Sequence, residues 1–291
     1  MLKKYKINYY LKESEVMKEY KSEEEFLKAY NPSDYDLLSV STDILVFSIS
    51  TEEESNYRKA DKMKMSVLLI KRDTYPFKDK WCLPGGFVNI DENLDDAPKR
   101  ILKRETNIDD IYLEQLYTYG SVDRDPRMRI ISTSYMALID KQRLTNNISS
   151  NASWFDIVLY EEKDNIVDIV LDNGTDTIKF SIKKVLREKT TDRYSFKIED
   201  NKYLAFDNPL VILAGIERLK NKVEYTDIVF NMMPEYFTLG ELQRVYEVIL
   251  NKKLLDPAFR RIIADKVEKT DKMKNGGGHR PSYLFKYKSK K

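Results

Sequence analysis

Residues 86–108 read Gly-Phe-Val-Asn-Ile-Asp-Glu-Asn-Leu-Asp-Asp-Ala-Pro-Lys-Arg-Ile-Leu-Lys-Arg-Glu-Thr-Asn-Ile, which predicts a loop followed by a helix. Positions 101, 104 and 105 are spaced i, i+3 and i+4, so they share one helix face, on which three carboxylates would converge on a divalent cation. This chain offers Ile101, Arg104 and Glu105 there. Because Mg²⁺ requires oxygen ligands and a guanidinium repels it, we predict no hydrolytic metal cluster at this helix.

Pro98 bears on where this helix begins. An interior proline removes a backbone hydrogen bond, so a helix that begins near Leu94 would bend at Pro98. The alternative is a later start, with Asp96 as the N-terminal cap. The sequence leaves both possibilities open.

Other residues of the stretch have a structural interpretation. Glu92 and Arg100 carry opposite charges, and we interpret them as an ion pair that pins the loop to the helix. Leu102 and Ile108 are interpreted as core contacts. These residues predict a scaffold in preference to a catalytic centre.

Composition bounds the class of protein. The chain has 291 residues, 42% of them hydrophobic and 12% aromatic, which is enough for two domains with their own cores. No eighteen apolar residues run together and Met1–Lys6 lacks a signal peptide's apolar stretch, so we expect a soluble, cytoplasmic protein with no membrane partner. The lone Cys82 excludes an intrachain disulfide. The lone His279 excludes Cys/His zinc clusters and makes a Ser-His-Asp hydrolase implausible.

The formal net charge of +2 is unevenly distributed. Residues 251–291 hold 13 Lys and Arg against 4 Asp and Glu, a net charge of +9, whereas residues 1–224 hold 36 against 40, a net charge of −4. A local positive field of this kind attracts phosphate backbones.

The first part of the chain predicts a lead-in and one domain. Residues 1–40 are charged and tyrosine-rich, with a short helix from Ser22 to Tyr30. Residues 41–223 form the domain, closed by a helix over 208–222. Its strand-like runs are 42–50, 65–71, 112–119 and 129–139. Two β-hairpins are predicted in an insertion at about 156–203, one pairing 166–171 with 177–182 and the other pairing 194–198 with 203–206.

Residues 224–291 predict a winged helix. Thr238–Glu241 is a capping box that opens a helix to about Leu250. Asp256 is interpreted as the cap of a second helix, with Pro257 at the first helical position and an end near Lys266. A hairpin follows from about residue 267 to residue 288.

The second of these helices is the predicted recognition helix, which in a helix-turn-helix enters the DNA major groove. Phe259, Ile262 and Ile263 form its core stripe, which leaves Arg260, Arg261 and Lys266 outward. A solvated basic face on an ordinary helix would look the same. The predicted wing favours DNA, because three consecutive glycines allow close approach to phosphate and positive charge comes from Lys272, Lys274, His279 and Arg280.

An arginine-rich loop predicts a ligand site. Arg124, Arg127 and Arg129 surround Asp125, and guanidinium groups bind phosphate oxygens bidentately, so a diphosphate or sugar phosphate suits this loop. A charged surface loop is the alternative. Trp81 is a candidate to stack on a base or ribose, although a tryptophan at a strand start also suits a core.

Residues 86–108 resemble the Nudix hydrolase signature. The positions that fit it are Gly86, Glu92, Arg100, Leu102, Glu105 and Ile108, and those that depart from it are Ile101, Arg104 and Asn107. With the motifs at 83–88, 124–127, 205–207, 237–239, 259–261 and 276–281, the chain resembles the Nudix-related transcriptional regulators of the NrtR type. It departs from that pattern at Asn208, where the family usually has a histidine, and in the insertion at 156–203.

The resemblance implies an α+β protein, in which a Nudix-like α/β/α sandwich with a mixed sheet and a β-hairpin insertion precedes a C-terminal winged helix. It also implies a bacterial homodimer that binds double-stranded DNA and senses ADP-ribose, a related nucleotide sugar or a sugar. We therefore predict a ligand-responsive transcriptional regulator with a catalytically impaired Nudix domain, in which Glu92 and Glu105 are vestiges of the catalytic site and no metal or cofactor is bound.

The alternative is a Nudix hydrolase of ADP-ribose or another nucleoside diphosphate compound. Glu92 and Glu105, helped by Asp91, Asp95 or Asp96, would then hold Mg²⁺. An RNA-binding Nudix protein is less favoured, because the basic charge lies in a helix-turn-helix.

Overall fold

The computed structural model describes residues 22–31, 33, 37–52, 62–106, 111–141, 148–188, 193–274 and 281–288. The chain divides after Leu38 into two compact units. In the first unit, helix α1 spans Glu23–Ala29, within the helix predicted from Ser22 to Tyr30.

The second unit is built on a ten-stranded mixed sheet. Its strands are β1 (Ser39–Glu52), β2 (Lys62–Lys71), β3 (Trp81–Cys82), β4 (Gly85–Phe87), β5 (Tyr112–Tyr119), β6 (Ile130–Leu138), β7 (Ala152–Lys163), β8 (Ile166–Asp172), β9 (Thr177–Glu188) and β10 (Arg193–Asn201). The order is β10-β9-β8-β7-β2-β1-β6-β5, with β3 beside β2 and β4 beside β1. Only β1 and β6 pair in parallel among the described strands, so the sheet is mixed, as predicted.

Helices cover both faces of this sheet. They are α2 (Ala97–Thr106), α3 (Asn208–Val223), a 3₁₀ helix (Ile228–Met232), α4 (Leu239–Leu250) and α5 (Asp256–Ile263). Successive side chains of β1 point to opposite faces, so Ile44 packs with the α2 cluster and Leu45 with the α3 cluster. A Cβ at Gly215 of α3 would lie 2.0 Å from Leu45 Cδ2, so the glycine permits the close approach of helix to sheet. The result is the α/β/α sandwich.

The later of the two predicted helix starts is correct for α2. The helix begins at Ala97, which places Pro98 in the first turn, where no intrahelical hydrogen bond is lost. The Asp96 carboxylate accepts hydrogen bonds from Asn93 Nδ2 and Lys99 Nζ.

One of the two hairpins predicted for 156–203 is confirmed and the other is wrong. Strands β8 and β9 pair as expected, with Asp172 opposite Thr177. Strand β10 pairs with β9 because Ile198 lies opposite Ile182 and extends the same apolar face. Residues 203–206 contribute only a bridge between Leu204 and Trp81. The four strands β7 to β10 continue the main sheet.

The C-terminal region has the predicted winged-helix elements. Thr238 and Glu241 form the full capping box of α4. Helix α5 begins one residue before the predicted start, with Leu255 as its cap, and ends at Ile263, short of Lys266. Strands β11 (Val267–Lys274) and β12 (Ser282–Tyr287) form the hairpin, and its predicted glycine-rich tip at 275–280 lies outside the described residues.

One apolar cluster runs from the sheet into the winged helix. Leu45 of β1, Ile216 of α3, Tyr246 of α4 and Phe259 of α5 are buried members of it. The rings of Tyr246 and Phe259 pack edge to face with centroids 5.4 Å apart. Among the helices that the structure describes, none has the length and apolar character needed to cross a membrane.

Candidate functional site

A cavity of about 270 Å³ opens beside the Gly85-Gly86 turn, between β1, α2 and the loop that precedes β6. A Cβ at Gly85 would lie 2.8 Å from the backbone oxygen of Thr42, so only glycine fits this wall. The charged residues that line the cavity are Asp43, Lys71, Arg72, Asp73, Arg104, Glu105, Arg124, Asp125 and Arg127. Phe87 and Phe206 add aromatic surface.

Arg124 was predicted as a ligand contact, and the structure places it in a buried ion-pair network. Its Nε and Nη2 donate to the two carboxylate oxygens of Asp207 at 2.9 and 2.7 Å, and Nη2 also donates to Asp43 at 3.3 Å. Its side chain is only 4% exposed. Burial raises the pKa of the Asp43 carboxyl, although hydrogen bonding from Ser132 and the charge of Arg124 lower it. Arg124 thus holds the cavity wall together.

Arg127 presents its guanidinium to the cavity. Its side chain is 43% exposed, and its Nε and Nη2 donate to Asp125 at 3.0 and 2.8 Å. The hydrogen bond from Arg127 lowers the pKa of the Asp125 carboxyl. The guanidinium carbon lies 5.1 Å from the ring centroid of Phe87 and 6.0 Å from that of Phe206. A flat, positively charged surface of this kind suits a phosphorylated aromatic ligand.

Of the five predicted ligand contacts, Arg124, Asp125 and Arg127 line this cavity, and Trp81 and Arg129 do not. Trp81 is buried and packs edge to face against Phe155, with centroids 4.8 Å apart, so the core alternative describes it better. Arg129 is half-buried, and its Nη1 has no hydrogen-bond partner among the described residues.

Sequence reasoning missed the N-terminus of α3, although its Ala-Phe-Asp motif was noted. Asp207 precedes α3 and receives Arg124. Asn208 is fully buried, and its Oδ1 accepts a hydrogen bond from the backbone nitrogen of Leu83 at 2.9 Å, which ties α3 to the glycine turn. Phe206, with a positive φ of 53°, turns its ring toward the cavity. The available signal was the run Phe206-Asp207-Asn208, in which Asp207 precedes α3 and Asn208 is its first residue.

Within residues 86–108, the described residues Glu92, Arg100 and Leu102 form the predicted scaffold. Arg100 donates to both oxygens of Glu92 at 2.7 Å and to the Phe87 backbone oxygen at 3.0 Å, so the ion pair does pin the loop to α2. The hydrogen bond from Arg100 lowers the pKa of the Glu92 carboxyl. Leu102 is buried as expected, and Ile108 lies outside the described residues.

The face of α2 that carries Ile101, Arg104 and Glu105 does not fit a divalent cation. Ile101 is fully buried in the α2 cluster. Both oxygens of Glu105 accept hydrogen bonds, Oε1 from Arg104 at 2.7 Å and Oε2 from Ser149 at 2.7 Å. Within the part of the chain that the structure describes, no three His, Cys, Asp or Glu side chains cluster in a way that would hold a metal ion.

Helix α5 carries the exposed cations that were predicted for it. Arg260 and Arg261 are exposed, whereas Phe259 and Ile263 are buried. The prediction that Ile262 lies in the core stripe is wrong, since its side chain is 41% exposed. The helix is short, and Phe259 and Ile263, one turn apart, suffice to anchor it.

The basic residues that follow α5 differ in their exposure and in the groups they contact. Lys266 was predicted to face outward, but its Nζ lies 3.0 Å from Asp227 and donates to the Thr226 backbone oxygen at 3.1 Å, so its side chain turns inward. Lys272 is exposed and lies over the ring of Tyr236. Lys274 is exposed and pairs with Glu241 at 2.6 Å. His279 and Arg280 lie outside the described residues.

The comparisons with known proteins agree with this architecture. Residues 229–287 match the NrtR DNA-binding winged helix domain, and residues 57–190 match the NUDIX domain. The chain is 32% identical to the ADPR responsive transcriptional repressor NtrR of Acinetobacter baylyi, over 92% of this chain and 89% of that protein. The crystal structure of Shewanella oneidensis NrtR complexed with a 27mer DNA has a TM-score of 0.61 and 27% identity, over 86% of this chain and 93% of that chain.

A MutT/nudix family protein from Enterococcus faecalis shares the fold, with a TM-score of 0.66 and 24% identity over 92% of this chain and 94% of that chain. The fold and the matched domains define a transcriptional regulator in which a Nudix domain precedes a DNA-binding winged helix. The chain belongs to the NrtR family of transcriptional repressors.

Proposed function

We propose that this chain is a cytoplasmic, ADP-ribose-responsive repressor that binds operator DNA as a homodimer. Residues 41–223 would sense the effector, and residues 224–291 would bind DNA. The Acinetobacter relative is an ADPR responsive repressor, and the Shewanella relative is seen with DNA. The cavity supports the proposal, because Arg127, Phe87 and Phe206 offer a cation and two rings to a ligand with a diphosphate and a base.

One observation carries the regulatory part of the proposal: α3 is tied to the cavity at one end and to the recognition helix at the other. At its start, Asp207 binds Arg124, and Asn208 accepts a hydrogen bond from the backbone nitrogen of Leu83, two residues before Gly85. Just after its end, Asp227 binds Lys266, three residues beyond the last residue of α5. The sixteen residues of α3 span about 24 Å at a rise of roughly 1.5 Å per residue.

This arrangement gives a physical route for regulation. A ligand that displaces the loop around Arg124 or the ring of Phe206 acts on the N-terminus of α3. Because α3 shares a continuous apolar core with α4 and α5, a small movement of α3 repositions the recognition helix. In a homodimer, two recognition helices must fit successive major grooves, so such movement changes DNA affinity. The ligand shifts the population between arrangements that bind DNA differently.

The structure favours this function over the hydrolase alternative. Glu92 is held by Arg100, and Glu105 is held by Arg104 and Ser149. A metal ion would have to displace a guanidinium from Glu105 to bind there.

The test is DNA binding by the full chain, measured by fluorescence anisotropy on duplex from the region upstream of its own gene. We expect preference over scrambled duplex, and a change in DNA affinity of about 5- to 150-fold when ADP-ribose saturates the protein. Linkage requires DNA to change ADP-ribose affinity by the same factor. Equal affinity for both duplexes, or no effect of ADP-ribose, would disprove the proposal.

The route through α3 has its own test. Asp227→Asn removes the charge that holds Lys266, and we expect ADP-ribose affinity to be unchanged while the effect of ADP-ribose on DNA affinity shrinks. Asp265→Asn is the matched control, since Asp265 is an exposed carboxylate next to Lys266. Equal coupling in both variants would exclude Asp227 from the route.

A further inference from the structure

Arg104 occupies the place in the cavity where the Nudix signature would put a metal-binding carboxylate. It lies on the face of α2 that meets the glycine turn, and it lines the cavity together with Gly86 and Glu105. Its Nε donates to Glu105 Oε1 at 2.7 Å, and its Nη2 lies 2.6 Å from the same oxygen. Glu105 thus fixes the direction of the guanidinium at the cavity wall.

The guanidinium remains accessible to a ligand. The Arg104 side chain is 58% exposed, whereas that of Glu105 is 8% exposed. An arginine has five N–H donors, and the contacts of Arg104 with the described residues engage Nε and Nη2. The Nη1 donors are left for a group that enters the cavity.

Charge is the reason that a cation is needed here. A diphosphate brings negative charge into a cavity that Asp43, Asp73, Glu105 and Asp125 also line. In a metal-dependent Nudix site, divalent cations neutralise that charge. Ile101 is fully buried and Glu105 has both oxygens occupied, so this face of α2 offers no free carboxylate to such cations, and the described residues contain no cluster of three metal-ligating side chains.

We propose that Arg104 binds the diphosphate of the effector in place of a metal ion, so that this sensor recognises its ligand without a divalent cation. The inference rests on the proposed function, because it assumes that a nucleoside diphosphate compound enters the cavity. Arg104 donates from the α2 side and Arg127 from the loop before β6. Glu105 positions Arg104, and Ser149 holds Glu105 in turn.

The experiment is isothermal titration of the full chain with ADP-ribose, once with EDTA and once with Mg²⁺. We expect equal affinity for the wild type in both buffers. Arg104→Gln should lower affinity by about tenfold to a hundredfold in both, the range expected for hydrogen bonds to a charged group. Arg104→Glu should bind worse still in EDTA and regain affinity with Mg²⁺, since it pairs a second carboxylate with Glu105.

Lys103→Gln is the matched control, because it removes one positive charge from the exposed side of α2 without lining the cavity. Its ADP-ribose affinity should equal that of the wild type. Thermal unfolding without ligand establishes that each variant is folded, and the exposed Arg104 side chain makes folding of both Arg104 variants the expected result.

The outcomes separate the two proposals. Wild-type binding that requires Mg²⁺, or Arg104→Gln binding as tightly as Lys103→Gln, would overturn the role of Arg104 and leave the proposed function intact. No binding of ADP-ribose by the wild type in either buffer would overturn the proposed function and this inference with it.

Discussion

The cavity and the recognition helix are both rich in arginine, yet they use it in opposite ways. In the cavity, Arg124 and Arg127 each meet a carboxylate within hydrogen-bond distance, and Arg124 is almost completely buried. On α5, Arg260 and Arg261 are exposed. Arg124 is structural, because burial and three hydrogen bonds fix it in the cavity wall, whereas Arg260 and Arg261 remain available to a partner.

The role of a basic residue in a motif therefore depends on the partner that the fold gives it. Arg124 has a carboxylate partner 83 residues away in the sequence, at the start of α3. Lys266 looks like a continuation of the basic face of α5 but binds Asp227. Removing a buried cation leaves its carboxylate partners buried and unpaired, which costs stability, whereas removing an exposed cation costs little stability.

The largest expected effect is the loss of stability when the buried Arg124 is replaced. Arg124→Met keeps much of the side-chain volume but leaves Asp207 and Asp43 without their cation, so the free energy of unfolding should fall by about 3–5 kcal/mol. Urea denaturation followed by circular dichroism measures it. Arg127→Met is the control and should cost about 1 kcal/mol or less, because its ion pair is partly exposed. Equal losses would show that burial of Arg124 adds nothing.

The second effect is the loss of DNA affinity when the exposed Arg260 and Arg261 are replaced. Arg260→Ala combined with Arg261→Ala should weaken operator binding by at least about thirtyfold and reduce the salt slope by about two. Unfolding by urea should be unchanged, since both side chains are exposed. Lys179→Ala combined with Lys197→Ala removes the same charge from exposed sites on β9 and β10. If this control lost as much DNA affinity, net charge rather than α5 would explain binding.

The smallest effect concerns a carboxylate that helps to hold the winged helix. Burial acts to raise the pKa of Glu241, but hydrogen bonds from Lys274 and from the Thr238 backbone lower it, and the net shift is downward. A carboxyl whose pKa is lower in the folded state than in the unfolded state stabilises the protein at pH values above its unfolded-state pKa. This stabilisation is lost as the pH falls through the pKa of the folded state.

Glu241→Gln should therefore cost about 1 kcal/mol at pH 7, the usual value of a helix cap, and less in acid. Urea denaturation from pH 7 down to pH 3 measures the difference. Glu235→Gln removes a carboxyl from an exposed site before the cap and serves as the control. A difference between Glu241→Gln and the wild type that grew in acid would contradict the sign of this linkage.

Local features of the fold were predictable because they arise within a few residues. The capping box at Thr238, the break before Asp256-Pro257 and the strand at 112–119 each depend on neighbours in the sequence. The pairing of β10 with β9 was not predictable from turn residues, since it depends on which sheet edge is open. Asn201 lies where the second hairpin was expected to turn. Its side-chain oxygen instead accepts a hydrogen bond from the backbone nitrogen of Leu204, and its side-chain nitrogen donates to the Leu204 backbone oxygen.

The site was only partly predictable for the same reason. The spacing of Ile101, Arg104 and Glu105 predicted one shared face, and Arg104 and Glu105 do line the cavity. Which arginine of the loop would face a ligand depended on Asp207 and Asp43, which lie far from it in the sequence. Trp81 became a core residue because β7 brings Phe155 against it.

The α-helices and most of the strands, the loss of carboxylates from one face of α2 and the basic character of the C-terminal end follow from the sequence alone, although β3, β4 and β7 were not predicted. Helical and strand periodicity, capping and charge are local properties, so they can be read without a structure. Only the tertiary structure decided which charges are paired, that α3 joins the cavity to the recognition helix, and that Arg104 faces the cavity. Those facts depend on distant segments meeting, because an ion pair acts over a few ångströms of space whatever the separation along the chain.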